Sequence, residues 1–265
     1  MTRDSIADFY EKYPYPRVQY FSRERMKTYA KPLVAAGNLT LHDLRGKKIL
    51  DAGCGTGEIT CSLATYAEKV IGIDASENSI ALARKKAGEF GIQNVTFSQK
   101  DIFSFNPKEK FDIVSAFGVL HHTPNPEKGF EHLSAMVKPG GIFFHGFYHE
   151  WGGWKQRVQK ALARAFGGKT PAQRMKWVES FQRKTLNESE KAYWMDRVAN
   201  PREKYYRVPP VVHWFEKNGF EIIGIQSHKP AWRVKDVKSA WSVLRFEIEI
   251  GLRGKRFVIV AGRKK

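Results

Sequence analysis

The sequence predicts an α/β domain built on a mainly parallel sheet with helices on both faces. From residue 47 onward, short apolar runs alternate with segments of helical spacing, which is the pattern of strands joined by crossover helices. A glycine-rich loop, 53–57, separates the first apolar run from the first helical segment. The length of 265 residues and the hydrophobic content of 42% suit one large domain, or one domain with sizeable insertions.

The elements follow one another in a regular order until residue 151. The predicted strands are 47–52, 70–74, 95–97, 111–117, 142–144, 220–225 and 257–261, and the predicted helices are 58–67, 76–90, 127–137, 154–166 and 209–218. Proline and glycine within 138–141 are expected to end a helix and turn the chain. Because the alternation stops at Trp151 and resumes at Pro209, the segment between them is interpreted as an insertion in the sheet domain.

The glycine loop has the geometry of a ligand-binding turn, in which backbone N–H groups can approach a ligand where a helix begins. Gly53, Gly55 and Gly57 form a G-x-G-x-G pattern, and the dinucleotide fingerprint requires a further glycine where this chain has Glu58. An acid at the start of a helix also repels a pyrophosphate. The loop therefore disfavours NAD and FAD and leaves room for a ligand with a zwitterionic end.

Three acids lie at, or shortly after, the carboxyl ends of three successive strands. Asp51 can orient an ammonium group, and Asp74 lies where an acid can accept hydrogen bonds from ribose hydroxyls. Asp101 can accept from an exocyclic adenine amine while Ile102 packs on the ring. An aspartate after a strand is more often a helix cap or a turn residue. One such acid alone is therefore weak evidence, and it is the three acids together with the glycine loop that indicate a ligand-binding site.

These motifs resemble those of the class I S-adenosylmethionine-dependent methyltransferases, in particular the group that includes ubiquinone, menaquinone and sterol methyltransferases. The resemblance covers 47–147 and rests on Ile49–Gly57, Val70–Ala75, Gln99–Ile102 and Phe111–His122. It implies a Rossmann-like fold with a seven-stranded sheet in the order 3-2-1-4-5-7-6, the last strand antiparallel. It also implies an N-terminal lid (1–40), a cofactor-binding core (47–147), a helical cap (150–208) and closing strands with a basic insertion (209–265).

The resemblance implies adenosylmethionine as cofactor, with adenosylhomocysteine as product. The residues that it assigns to the cofactor are Asp51, Gly53, Cys54, Gly55, Gly57, Asp74, Ala75, Asp101, Ile102, Ala116 and Phe117. It says little about the acceptor. The sequence contains no Asn-Pro-Pro-Tyr or Asp-Pro-Pro-Tyr motif, which argues against the amino groups of adenine or glutamine as methyl acceptors. It also contains no Pro-Cys nucleophile, which argues against 5-methylcytosine as a product.

Two neighbouring histidines are the candidate catalytic residues. His121 and His122 follow the fourth strand, where the resembling enzymes meet their acceptor, and a histidine there can accept the acceptor's proton. Two alternatives stay open: such a histidine packs against the sheet, or methyl transfer proceeds by positioning without a protein base. A zinc site made of His121, His122 and His145 is disfavoured because no cysteine or carboxylate cluster has ligand spacing, so no metal is expected.

Residues outside the core, most of them aromatic, are candidates for contact with the acceptor or, in the N-terminal run, with the carboxylate of the cofactor. Tyr13, Tyr15 and Arg17 lie in a proline-containing N-terminal run that is expected to form part of a lid, or else a turn packed on the core. Trp154 begins the helix 154–166, which has an apolar face and a basic face. We expect that helix to cover the active site of its own domain. The alternative is contact with an anionic membrane surface.

The net charge of +18 is concentrated in two segments. Residues 151–208 contain 14 basic and 5 acidic side chains, and residues 226–265 contain 11 and 3. This distribution describes either a solvated basic surface or a face for an acidic partner such as RNA, anionic lipid or a phosphorylated metabolite. No apolar run approaches the roughly 18–20 residues of a transmembrane helix. Two cysteines and no signal-like N-terminus fit a cytoplasmic location.

Three functions remain open at this point. The first is a methyltransferase for a small or lipid-like acceptor at an O, N or C atom, which the kind of resemblance and the aromatic-rich cap favour. The second is an RNA methyltransferase that uses the two basic segments. The third is a non-catalytic regulatory protein that binds adenosylmethionine, which the intact motifs make the weakest of the three.

Overall fold

Seven strands form one sheet in the order β3-β2-β1-β4-β5-β7-β6, which confirms the strand order that the resemblance implies. The computed structural model describes residues 5–15, 21–227, 233–234 and 236–265. The strands are β1 (Lys48–Ala52), β2 (Lys69–Asp74), β3 (Val95–Gln99), β4 (Phe111–Phe117), β5 (Val137–Tyr148), β6 (Phe220–Ser227) and β7 (Phe257–Lys264). Neighbouring strands among β1–β5 pair in parallel, whereas β7 runs antiparallel to both β5 and β6.

Helices cover both faces of the sheet because the central strands are apolar on both sides. Ile49 and Leu50 are adjacent in β1 and point to opposite faces, where they join two separate apolar clusters. The helices are α1 (Ser5–Lys12), α2 (Arg23–Thr28), α3 (Lys31–Ala36), α4 (Glu58–Ala64), α5 (Glu77–Phe90), α6 (Pro126–Ser134), α7 (Trp154–Phe166), α8 (Pro171–Gln182), α9 (Glu188–Val198), α10 (Val208–Lys217) and α11 (Ala240–Arg253). None of these described helices is long and apolar enough to cross a bilayer.

The predicted boundary between α6 and β5 was wrong. The helix ends at Ser134 rather than at Val137, and Val137 already pairs with Phe111 of β4. Pairing with β4 resumes only at Ile142, so the residues between loop out of the strand instead of ending a helix. Gly140 has a φ of 73°, the left-handed conformation that such an irregularity needs.

The insertion 150–208 folds as three helices that pack on one another and on the N-terminal helix α1. Phe9 of α1 shares an apolar cluster with Ala163 of α7, Met175 of α8 and Met195 of α9. The basic segment after β6 contains α11, although no helix was predicted there. Residues 228–232 and 235 of that segment, including Trp232, lie outside the described residues.

Helix α7 presents its apolar face to solvent. Its buried residues are Gln156, Lys160 and Ala163, whereas Trp154 and Phe166 are 44% and 71% exposed. The two polar residues face inward because Glu203, whose side chain is 1% exposed, accepts hydrogen bonds from the Gln156 amide (2.8 Å) and the Lys160 ammonium (3.2 Å). A buried carboxylate without partners is costly, so these contacts set the orientation of the helix.

Candidate active site

A cavity of about 810 Å³ opens where β1, β2 and β4 end. This volume lies in the upper part of the range of roughly 300–1,000 Å³ for small-molecule sites. One group of lining residues, the strand side, follows the strand ends and includes Asp51, Gly53, Cys54, Gly55, Asp74, Ala75, Asp101, Ile102 and Phe117. The other group, the cap side, comes from α1 and the residues after it, the turn after β4, α9, the end of β5 and the start of β7, and it includes Tyr10, Tyr15, His122, Tyr148, Tyr193, Arg197 and Arg256.

The glycine loop bends sharply at the floor of the strand side. Gly53, Gly55 and Gly57 have φ values of 75°, 53° and 83°, which residues with a side chain rarely adopt. A Cβ atom on Gly53 would lie 2.4 Å from a methyl group of Val119, so glycine is also required there for space. Gly57 lies outside the cavity lining, and its close neighbour is Ala83 of α5.

Asp74 ends β2 with a carboxylate that backbone amides hold in place. One oxygen accepts from the Gly55 N–H (2.9 Å) and the other from the Ser76 N–H (3.0 Å). Burial raises the pKa of Asp74 above its ordinary value, although these amide donors oppose the shift. The described residues place no cation against it. A fixed, partly desolvated carboxylate in a cavity wall suits a neutral hydroxyl donor.

Asp51 is the penultimate residue of β1 and is almost completely buried, with 2% of its surface exposed. Its Oδ2 accepts from the Thr60 hydroxyl at 2.6 Å. Burial raises the pKa of Asp51 to about 6, and the described part of the chain supplies no lysine or arginine to compensate its charge. A ligand ammonium group would supply the missing positive charge, so this carboxylate suits the amino-acid end of a ligand.

The remaining strand-side residues complete a wall with both polar and apolar parts. Asp101 is exposed at the rim, where its carboxylate accepts from the Phe103 N–H at 2.7 Å, and Ile102 is buried beside it. Ala116 is fully buried in β4 and is not part of the lining, in contrast to Phe117. Glu58 pairs with Lys86 at 2.6 Å, so its charge repels an anion less than the sequence alone suggests.

The two candidate histidines occupy different positions. His122 lines the cavity, and its Nδ1 lies 2.8 Å from the Arg202 carbonyl oxygen, which can only accept a hydrogen bond. Nδ1 therefore carries the proton, and Nε2 has the free lone pair of a base. His121 is fully buried, is not part of the lining, and has no hydrogen-bond partner on either ring nitrogen. Burial lowers the pKa of both rings.

A hydrogen-bonded cluster behind His122 joins elements that are far apart in sequence. The Tyr10 hydroxyl donates to Asp196 at 2.8 Å, and the Asn200 amide donates to the Tyr10 oxygen at 2.9 Å. The Tyr148 hydroxyl contacts the other Asp196 oxygen at 3.4 Å. Tyr10, Asp196 and Asn200 were not predicted, because no local motif marks residues that only the folded chain brings together.

Arg256, the residue immediately before β7, joins several elements of the cap side. Its guanidinium lies 3.9 Å from the centre of the Tyr148 ring and 3.4 Å from Glu203, which also holds α7. Arg197 of α9 is less engaged. Its Nε donates to the Gln159 amide oxygen at 3.0 Å, and it forms no ion pair in the part of the chain that the structure describes. Arg197 is therefore an oriented cation in the cavity wall.

Only some of the residues that were predicted to contact the acceptor line the cavity. Tyr15 lines the cavity, as does Tyr10, which was not predicted. Tyr13 instead packs against Phe9, with ring centres 5.3 Å apart, and is not part of the lining. Trp154 also lies outside the lining, because its indole N–H donates to the Gly251 carbonyl on the outer surface. Arg17 lies outside the described residues.

Metal binding finds no support in the described residues, which contain no group of three or more histidine, cysteine or acidic side chains placed to hold an ion. His145, the third histidine of the disfavoured zinc site, contacts the Ala116 carbonyl at 3.4 Å. Cys54 and Cys61 are both buried free thiols.

Comparison with known proteins identifies the family to which the chain belongs. A family model described as a methyltransferase domain matches residues 43–189, more than half of the chain. The chain therefore belongs to this family, and its sheet order and glycine loop are those of the class I members, whose methyl donor is adenosylmethionine.

Individual relatives are similar over shorter stretches or at lower identity. A ubiquinone biosynthesis O-methyltransferase of Azoarcus sp. (strain BH72) is 36% identical over 102 residues, which is 38% of this chain and 44% of that protein. The match thus spans less than half the length of that curated relative.

Solved structures share the fold at low sequence identity. PKMT2 from Rickettsia typhi superposes with a TM-score of 0.64 at 20% identity, covering 91% of this chain and 53% of that one. Magnesium protoporphyrin IX methyltransferase from Synechocystis PCC 6803, solved with bound SAH, gives a TM-score of 0.58 at 18% identity, with 97% and 93% covered.

Proposed function

We propose that this protein transfers the methyl group of adenosylmethionine to a hydroxyl group of a small aromatic or quinone-like acceptor. One observation carries the proposal. A single cavity brings together acids suited to adenosylmethionine on its strand side and His122, surrounded by tyrosines, on its cap side. The ubiquinone-type name of the Azoarcus relative supports an oxygen acceptor of this size.

The strand side fits the parts of the cofactor one by one. Asp74 would accept from the ribose hydroxyls, and Asp51 would face the ammonium group. Asp101 and Ile102 would flank the adenine, and the backbone at Gly53 and Phe117 would meet the amino-acid end. When bound, the cofactor supplies an electrophilic methyl group on a positively charged sulfur atom. The protein's task is then to orient an acceptor oxygen and remove its proton.

His122 is the residue proposed to receive that proton. The Arg202 carbonyl fixes its Nδ1 as the protonated nitrogen, so the Nε2 lone pair is available. Burial lowers the pKa of His122, which keeps the ring neutral at physiological pH. Asp196 lies close enough to counter this shift and to stabilise the imidazolium that forms when the proton arrives. His121, buried behind the cavity wall, is proposed to support the turn rather than to act as a base.

The cap side favours a flat acceptor with a polar edge. Tyr10, Tyr15, Tyr148 and Tyr193 line it, and such rings bind aromatic groups by stacked or edge-to-face contacts. Arg197 lies in the same wall without an ion-pair partner in the described chain, and it can donate to a carbonyl or carboxylate oxygen. A phenol or hydroquinone with an oxygen-bearing substituent combines these features.

RNA methylation stays a prediction, and fewer basic residues are available to bind RNA in the structure than the sequence suggests. Three cations of the two basic segments are engaged with buried carboxylates: Lys160 and Arg256 contact Glu203, and Arg207 contacts Glu247. Phosphate binding needs free surface cations, so these residues do not contribute to an RNA-binding face.

Methyl-labelled adenosylmethionine tests the proposal directly. The full-length protein is incubated with labelled cofactor and, separately, with lipid-soluble metabolites, RNA and protein from a bacterial extract, and with 3,4-dihydroxybenzoate as a defined catechol. We expect label in the lipid-soluble or catechol fraction, on an oxygen atom. Label found in RNA alone would overturn the choice of acceptor. Cofactor binding without labelling of any fraction would instead favour a non-catalytic binding protein.

A further inference from the structure

Helix α7 carries a row of large apolar side chains that nothing in the described protein covers. Trp154, Val158, Leu162 and Phe166 recur every four residues along one side and are 43–71% exposed. The face opposite is held by Glu203, so the helix cannot turn the row inward without breaking two buried contacts. An exposed apolar row fixed in this way is a mark of an interaction surface.

Helix α11 carries a second row of exposed apolar side chains. Trp241, Ile248 and Leu252 lie at helical spacing on its outer side, and Trp241 and Leu252 are 71% and 80% exposed. The two helices meet where the Trp154 indole N–H donates to the Gly251 carbonyl at 3.1 Å. We call these seven side chains of α7 and α11 the apolar face.

Basic side chains border the apolar face. Lys155, Arg157 and Arg164 are exposed on α7, a helix whose sequence contains no acid, and Arg245 is exposed on α11. These three exposed basic residues of α7, unlike the buried Lys160, form no ion pair within the described residues, and two of them lie over the aromatic rings of Trp154 and Tyr205. The face therefore presents large apolar groups together with unpaired positive charge.

We propose that the apolar face docks on the surface of an anionic lipid bilayer. Apolar and aromatic side chains enter the boundary between headgroups and acyl chains, while lysine and arginine contact the lipid phosphates. A second copy of the chain fits less well, because a symmetric pairing would bring the same arginines against one another. A nucleic acid fits less well because its phosphate backbone offers nothing to seven apolar groups.

The docked surface lies one helix away from the cap side of the cavity. Gln159 of α7 holds Arg197, and Glu203 links α7 to Arg256, and both arginines line the cavity. The inference does not depend on the proposed methyl transfer, since binding to a bilayer needs neither cofactor nor acceptor.

Sedimentation of the full-length protein with lipid vesicles, without cofactor, tests the docking surface. One set of vesicles is pure phosphatidylcholine and the other is an equal mixture with phosphatidylglycerol. We expect binding to the mixed vesicles that weakens as salt rises. Leu162→Ser with Phe166→Ser should weaken it about 30-fold, and Arg157→Gln with Arg164→Gln about 10- to 30-fold. Lys85→Gln with Lys108→Gln removes two exposed charges elsewhere and should change it less than twofold.

Each outcome supports or overturns the inference. All four changed side chains of α7 are exposed, so thermal unfolding should stay as in the wild type and any loss of binding can be assigned to the surface. Absence of binding to the mixed vesicles at low salt would overturn the docking surface. Binding that survives the Leu162/Phe166 change would also overturn it, leaving charge attraction alone. A dimer in analytical ultracentrifugation that this change dissociates, without vesicle binding, would assign the face to a second copy.

Discussion

The two sides of the cavity are constructed in different ways. The strand side comes from one continuous stretch, 51–117, in which each strand of a parallel sheet delivers its next residues to the same edge. The cap side is assembled from α1, the turn at His122, α9 and the start of β7, and side-chain hydrogen bonds there join residues as far as 190 positions apart. On the proposed function, the first construction would bind the cofactor shared by the family, and the second would allow the acceptor to differ between members.

Because the two sides are constructed separately, mutations should affect cofactor affinity and acceptor binding separately. Changes on the strand side should alter the affinity for adenosylhomocysteine and leave acceptor binding unchanged. Changes on the cap side should do the reverse. A variant that altered both equally would show that the two sides are one site.

His122→Ala should have the largest effect. Loss of the proposed base should lower kcat about 100- to 1,000-fold, in the range expected for general-base catalysis, with an unchanged Kd for adenosylhomocysteine by calorimetry. His121→Leu is the matched control in the same turn, and it should retain most of kcat because His121 does not line the cavity. Full turnover by His122→Ala would remove the base from the mechanism.

The pH dependence of kcat follows from the same residue. Burial lowers the pKa of His122 below its ordinary value of 6.5, so the neutral form persists to a lower pH. Because a base must be neutral to accept a proton, the rate should fall on the acid side only below about pH 6.5 and stay level between pH 6.5 and 8. In a pH profile of kcat, an acid limb centred above pH 7 would contradict the assignment.

Asp51→Asn should stabilise the protein that contains no cofactor. The pKa of Asp51 rises from 3.8 to about 6 on folding. Between these values the folded chain keeps a proton that the unfolded chain has lost, so stability falls as pH rises through about 6. The full difference is about 3 kcal/mol, with about half of it between pH 5 and 7.5. Urea unfolding of both proteins at these two pH values measures it.

The variant should also bind adenosylhomocysteine more weakly, because the ammonium group would lose its carboxylate partner. Stability gained together with affinity lost is the signature of a charge kept for a ligand. Asp51→Asn that lowered stability at pH 7.5 would show that the carboxylate is compensated within the protein.

The sheet and the strand side were predictable because their signals are local. Apolar runs that alternate with helical spacing marked every strand, and the acids Asp51, Asp74 and Asp101 followed directly in sequence. Helix α7 was expected to cover the active site, but none of its residues lines the cavity and its apolar row faces outward. Its orientation depends on Glu203, a distant and isolated acid that no periodicity identifies. The Tyr10–Asp196–Asn200 cluster escaped prediction for the same reason.

Asp74→Asn should weaken adenosylhomocysteine binding about 10- to 100-fold, because hydrogen bonds from two hydroxyls to a charged acceptor would be lost or weakened. Calorimetry measures the change, and kcat at saturating cofactor should change less than threefold. Asp112→Asn is the control, since that carboxylate binds the Lys48 N–H and Lys138 away from the cavity. Equal losses in both variants would indicate general destabilisation instead of a lost ribose contact.

Arg197→Gln should have the smallest effect, and it distinguishes the two sides most sharply. The guanidinium lies in the cap-side wall with its Nε fixed by Gln159, so an acceptor oxygen would gain a preformed donor. We expect the acceptor KM to rise about 5- to 10-fold, the size of one exchanged hydrogen bond to a charged group, with kcat and cofactor affinity nearly unchanged. Arg45→Gln, an exposed arginine outside the lining, should leave all three constants unchanged. If Arg197→Gln weakened cofactor binding instead, this arginine would belong to the cofactor's carboxylate, and the boundary between the two sides would have to be moved.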